Sequence, residues 1–163
     1  MNRRFVLGAT VLGAMVLGVT AAVAQMPNPY GAPIGLDAAK KVAAPAIAEA
    51  LKNKWTVAVA IVDPAGVLVY YEKMDNTQVG SADIAIEKAR TAARFKRPTK
   101  ALQDALAAGG GGLRILGLRD LTPVEGGIPL LIDGKIVGAI GVSGMASDQD
   151  SECAKVGADS LHP

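Results

Sequence analysis

The chain has 163 residues, 50% hydrophobic and 20% charged, which is the size and composition of one folded domain and excludes a disordered segment. Its formal net charge of +2 belongs to Arg3 and Arg4, because beyond residue 24 Lys plus Arg falls from 17 to 15 against 15 Asp plus Glu. That neutral remainder, with five scattered aromatics (Tyr30, Trp55, Tyr70, Tyr71 and Phe95), has neither the basic footprint nor the stacking platform of a nucleic-acid binder.

In chain order, Arg3 and Arg4 precede an apolar run from Phe5 to Ala24 that ends in Ala22-Val23-Ala24 before Gln25. This is the layout of a secretory signal peptide cleaved after Ala24, so residues 1–24 are expected to be removed and the protein to be periplasmic or secreted, with no membrane attachment. Asn2-Arg3-Arg4-Phe5-Val6-Leu7 also resembles the twin-arginine export pattern, and the general secretory route fits two arginines equally. Residues 25–35 carry three prolines and two glycines and are expected to form an extended leader to a domain over 36–163.

Leu36 to Asn53 repeats apolar positions at helical spacing, with Pro45 inside the pattern predicting a kink or a break. Trp55–Ile61 and Val67–Lys73 alternate as strands around the turn Asp63-Pro64-Ala65-Gly66, in which Pro presets φ and Gly takes the left-handed conformation. Ser81 is placed to cap a helix over Ile84–Phe95 that ends before Pro98, and a short helix over Thr99–Ala108 runs into Gly109–Gly112, read as a flexible loop. A phosphate cradle at these glycines lacks the Lys-Ser/Thr and the strand-to-helix context that such a cradle needs. Leu130-Leu131-Ile132 and Lys135–Val142 flank Asp133-Gly134 as a hairpin, and a last helix starts at Ser147 and runs through about Asp159. Hairpin-joined strands covered by helices give an antiparallel α+β domain.

The chemistry available is narrow. The one histidine, His162, is the penultimate residue, which removes a histidine-based catalytic triad and histidine metal sites. Asp148, Asp150 and Glu152 suit helix-start electrostatics, so no metal site is expected. The lone Cys153 precludes an intrachain disulfide; it reads as a small buried residue of the last helix or as a thiol activated by the helix start. Lys88 and Thr91 share a helix face, where Lys88 either snorkels to solvent or meets an anionic ligand group with Thr91 and Arg97 beside it. Arg90 and Arg94 read as a solvated stripe near Glu87. Gly126-Gly127, leading to Pro129, either bends the chain into a strand or admits close approach of a backbone or a flat ligand.

Asp63-Pro64-Ala65-Gly66, Glu87-Lys88-Ala89-Arg90-Thr91-Ala92, Arg97-Pro98-Thr99, Gly126-Gly127-Ile128-Pro129 and the run from Asp133-Gly134 to Gly144, with Asp148-Gln149-Asp150, resemble the GlcG/HbpS family, including the C-terminal domain of PduO-type proteins. The resemblance implies a profilin-like α+β fold in the order α-β-β-α-(α)-β-β-β-α, homo-oligomers and binding of haem or a related tetrapyrrole. The histidine that such relatives offer near the start of the domain is absent here; Tyr30, Tyr70, Tyr71, Met74, Met145 and Cys153 are the residues chemically able to replace it.

The leading expectation is an exported, oligomeric binding protein whose ligand, haem or a smaller carboxylated molecule, contacts Lys88, Thr91, Arg97, Gly126, Gly127 and Pro129. The alternatives are a cofactor-free enzyme on small organic acids, with Lys88 as base or electrostatic stabiliser and Glu87 or Asp150 as proton partner, and a non-catalytic oligomeric subunit.

Overall fold

The computed structural model describes residues 27–161; the signal-peptide reading and His162 lie outside them. The elements are α1 (Leu36–Lys52), β1 (Ala58–Val62), β2 (Leu68–Lys73), α2 (Ser81–Phe95), α3 (Thr99–Ala107), a 3₁₀ segment (Gly110–Gly117), β3 (Gly127–Ile132), β4 (Lys135–Ser143) and α4 (Ser147–Asp159). The four strands form one antiparallel sheet in the order β2-β1-β4-β3. The class is α+β, as expected, but among the described residues only β3 and β4 follow α3, one strand fewer than the order implied by the resemblance.

All five residues of β1 are buried, because helices cover both faces of the sheet. On one face Val57, Val59, Ile61, Ile140 and Val142 meet the Ala-rich side of α1 and Cys153 and Ala154 of α4. On the other, Ala58, Ala60, Val62 and Ala139 meet Ala85, Ala89, Ala92 and Ala93 of α2. The second layer is built from small residues on both sides, so helix and sheet backbones approach closely. Gly127 and Gly141 are paired across β3 and β4; a Cβ at Gly141 would overlap the carbonyl of Ala85, and one at Gly127 the carbonyl of Lys88.

Local chemistry explains where the elements start and stop. Asp63 Oδ1 accepts from the amides of Ala65 and Val67, and Gly66 takes φ +86, closing the turn between β1 and β2. α1 runs through Pro45 without a break. The carbonyl of Lys41, which proline leaves without its helical amide, accepts instead from the Ser160 hydroxyl at 3.4 Å. Ser81 does not cap α2; its hydroxyl accepts from Gln78 Nε2 and meets Ser143 Oγ at 3.3 Å, tying the helix start to β4. The four-glycine run is no open loop. Gly109 and Gly110 take φ of +68 and +51, and Gly112 lies against Ala105, where a Cβ would overlap the carbonyl, so the chain folds back on α3 as a 3₁₀ segment.

Over 27–35 the chain forms no helix and no strand, only an isolated bridge between Tyr30 and Ile136. The amide of Ile136 donates to Pro29, those of Gly31 and Ile34 donate to Ile136 and Val137, and so the leader continues the β1 side of β4 beyond the end of β1. Among the described residues no helix is long and apolar enough to cross a membrane.

The close approach of α2 is testable by adding one methyl group. Gly141→Ala is expected to destabilise the fold by about 3 kcal/mol in urea unfolding. Gly111→Ala, with open space around its Cβ position, is expected to stay within about 0.5 kcal/mol of the parent.

Candidate functional site

Lys88 is the largest fully buried side chain among the described residues, with 1% of its surface exposed. It projects from the helix layer α2 and ends against Asp150, in the first turn of α4 on the opposite layer. Lys88 Nζ donates to Asp150 Oδ2 at 2.8 Å and to the Val142 carbonyl at 3.0 Å. Asp150 Oδ1 accepts from the amide of Met145 at 3.0 Å. The pair passes Gly126, whose φ is +121 and whose Cβ, if present, would lie 2.8 Å from the Val142 carbonyl and 3.0 Å from Lys88 Nζ. Glycine is required there both for the backbone angle and for the space the ammonium fills.

Thr91 and Thr99 extend this buried polar network. Thr91 Oγ1 accepts from the amide of Thr122, and Thr99 Oγ1 from the amide of Gly127, each at 2.9 Å. Lys88, Thr91, Gly126 and Gly127, expected at a ligand, instead contact protein groups in a centre that links α2, β3, β4 and α4. The close approach that Gly126-Gly127 permits is that of protein backbone. Lys88 neither snorkels to solvent nor stands unpaired.

Burial raises the Asp150 carboxyl above its ordinary value of 3.8, and the facing ammonium and the amides of Met145 and Gly144 oppose that rise. A carboxyl with a raised folded value adds stability below its ordinary pKa and loses it as pH climbs through the raised one. The ion pair therefore fixes geometry more than it adds free energy.

Arg97 and Pro129 lie elsewhere, on the outside. Asn28, Lys96, Pro98, Ile128, Pro129, Leu131 and Ile136 line a cleft of about 210 Å³ at the hairpin end of β3 and β4. The Lys96 ammonium, one residue before the exposed Arg97, also sits 4.2 Å above the ring of Tyr30. None of the candidate iron ligands lines this cleft; Tyr30 meets it only through Lys96, and its hydroxyl donates toward the carbonyls of Ala93 and Arg94 at 3.0 and 3.2 Å. Tyr70 bonds Glu72 on the far edge strand. Met74 packs against the core beyond β2, and Met145 follows β4 at its opposite end. The Tyr71 hydroxyl is buried without a partner beside the α2 layer. Cys153 is fully buried, and burial pushes its thiol up to about 12, so it is no ready thiolate.

Sequence reasoning missed two roles. Arg90 and Arg94 are not a free stripe: their Nε groups each donate at 3.1 Å to the hairpin turn, Arg90 to Gly66 and Arg94 to Ala65. Lys96 adopts φ +55 at the end of α2, which brings it over Tyr30; the left-handed lysine has no sequence signature. Among the described residues no group of three or more His, Cys, Asp or Glu is placed to hold a metal ion.

Against known proteins, a family model described as haem degrading protein HbpS-like matches residues 34–159. The protein GlcG of Escherichia coli is 42% identical over 95 residues, 58% of this chain and 69% of that one. The structure of a double mutant of Streptomyces reticuli HbpS superposes with a TM-score of 0.75 at 29% identity, over 96% of this chain and 99% of that one. PduOC in complex with haem superposes with a TM-score of 0.72 at 25% identity, over 80% and 96% of the two chains.

The ion pair makes a clear demand on double mutants. Lys88→Met or Asp150→Leu alone is expected to cost about 3–5 kcal/mol, because each leaves one buried charge without its partner, and the double substitution is expected to recover most of that loss in chemical unfolding. Asp150→Asn is expected to remove the component of stability that declines as pH rises above the ordinary carboxylate range.

Proposed function

The chain belongs to the HbpS-like family, and from that premise we propose that it is an exported, homo-oligomeric protein that binds haem or a related carboxylated tetrapyrrole at the cleft beside Tyr30, Lys96 and Pro129. The observation that carries the reading is the family match over residues 34–159, and the similarity to a PduOC chain that binds haem supports it.

The cleft suits two parts of such a ligand. Ile128, Pro129, Leu131 and Ile136 offer an apolar floor for a flat macrocycle, and Lys96 offers a cation for an acidic side group, with the exposed Arg97 the next residue in the chain. A space of about 210 Å³ covers only part of a macrocycle. A second copy of the chain would cover the rest, which links the ligand to the oligomer.

The iron does not find a comparable fit. Tyr30 is committed to two helix carbonyls, Cys153 is buried as a thiol, and the remaining candidates stand away from the cleft. The proposed binding therefore rests on ring packing and carboxylate pairing, with no protein ligand to the metal among the described residues. Export is proposed from Arg3-Arg4, the apolar run and Ala22-Val23-Ala24.

Titrating the purified chain with hemin and, separately, with metal-free protoporphyrin tests this reading by absorbance and fluorescence. Both are expected to saturate with affinities within about threefold of each other, Tyr30→Phe is expected to leave them nearly unchanged, and Lys96→Ala with Arg97→Ala to weaken both by at least about tenfold. Failure of either to saturate, or saturation by hemin alone, would overturn the proposal.

A further inference from the structure

A second cleft, of about 330 Å³, lies between the outer face of α2 and the segment before β3, lined by Glu87, Arg90, Arg94, Asp120, Leu121 and Thr122. We propose that it binds a small carboxylate bearing a hydroxyl or ammonium group on the adjacent carbon, a ligand distinct from the tetrapyrrole and at a separate place on α2.

Both walls are held in position from behind. On the helix side, each arginine spends its Nε on the β1–β2 turn, Arg90 at Gly66 and Arg94 at Ala65, so the two guanidinium groups are fixed one helical turn apart on residues that line the cleft. On the other side, the amide of Thr122 is held by the buried Thr91, and the Thr122 hydroxyl donates to Glu87 Oε2 at 2.9 Å. Asp120 takes φ +54, a left-handed conformation that Asp tolerates better than most residues, and lines the same cleft.

Four charged side chains thus share one cleft, yet among the described residues no ion pair within 4.0 Å joins any two of them. Two arginines offer the fork geometry that a carboxylate accepts. Glu87 and Asp120 offer acceptors for a donor group. Because the four charges cancel, the cleft has no general attraction for anions; what complements it is one molecule with a carboxylate at one end and a hydrogen-bond donor close by. Leu121 provides an apolar contact for a short carbon chain.

Three probes of matched shape separate the possibilities in calorimetric titrations of the purified chain: L-lactate with a hydroxyl, L-alanine with an ammonium and propionate with neither. Saturable binding of lactate or alanine, at least about tenfold tighter than propionate, is expected, and the tighter of the two identifies the donor. Arg90→Gln with Arg94→Gln is expected to weaken that binding by at least about tenfold. Since the same arginines support a turn, Asp120→Asn serves as the second variant: Asn keeps the shape and the left-handed backbone, and it is expected to weaken the preferred probe by about threefold or more while leaving propionate unchanged. The proposal is overturned if none of the three saturates, if propionate binds as tightly as the others, or if Asp120→Asn leaves all three affinities unchanged. None of these readouts involves haem.

Discussion

A lysine rooted in one helical layer and an aspartate in the opposite layer can meet only where the sheet between them carries no side chain. Gly126 provides that opening at the start of β3, and Lys88 passes through it to Asp150. Much else is arranged around this crossing. The amide of Met145 orients the carboxylate, the Val142 carbonyl takes a second ammonium proton, and Gly127 and Gly141 let the backbone of α2 settle far enough onto the sheet for the lysine to reach. A polar link of this kind contributes less free energy than apolar packing of the same volume, but removing either end leaves a buried charge unpaired.

The same crossing separates the buried polar centre from the surfaces that can meet a ligand. Thr91 and Thr99 act inward, positioning the strand-entry segment and β3 through backbone amides. The segments they position then present their outer sides: Thr122 with Asp120 beside α2, and Pro129 with Ile128 and Leu131 beside the end of α2. Residues that look like one binding constellation in the sequence thus divide into a scaffold and two faces that the scaffold supports.

The sequence was most legible where structure depends on neighbours in the chain. The Asp63-Pro64-Ala65-Gly66 turn, the Asp133-Gly134 hairpin and the helical stripe of α1 all follow from short-range rules, and each is present. Lys88, Asp150 and the Gly126-Gly127 pair could each be singled out, but their meeting spans 62 residues between the lysine and the aspartate and could not be read from spacing. Two local rules gave way to tertiary contacts. Pro45 is absorbed because α1 is held against α4, where Ser160 also serves the freed carbonyl, and the glycine run is folded by its contact with Ala105. Arg90 and Arg94 were misjudged for a related reason, since the hairpin turn they hold lies 24 and 29 residues away.

Cys153 lies one turn beyond Asp150 on α4, wholly buried against the sheet. Any excursion that lifts α4 enough to part the ion pair must also bring this thiol toward water, so the two events share one opening free energy. Reaction of Cys153 with a thiol reagent therefore requires the packing around α4 to open, and its pace follows the free energy of that opening.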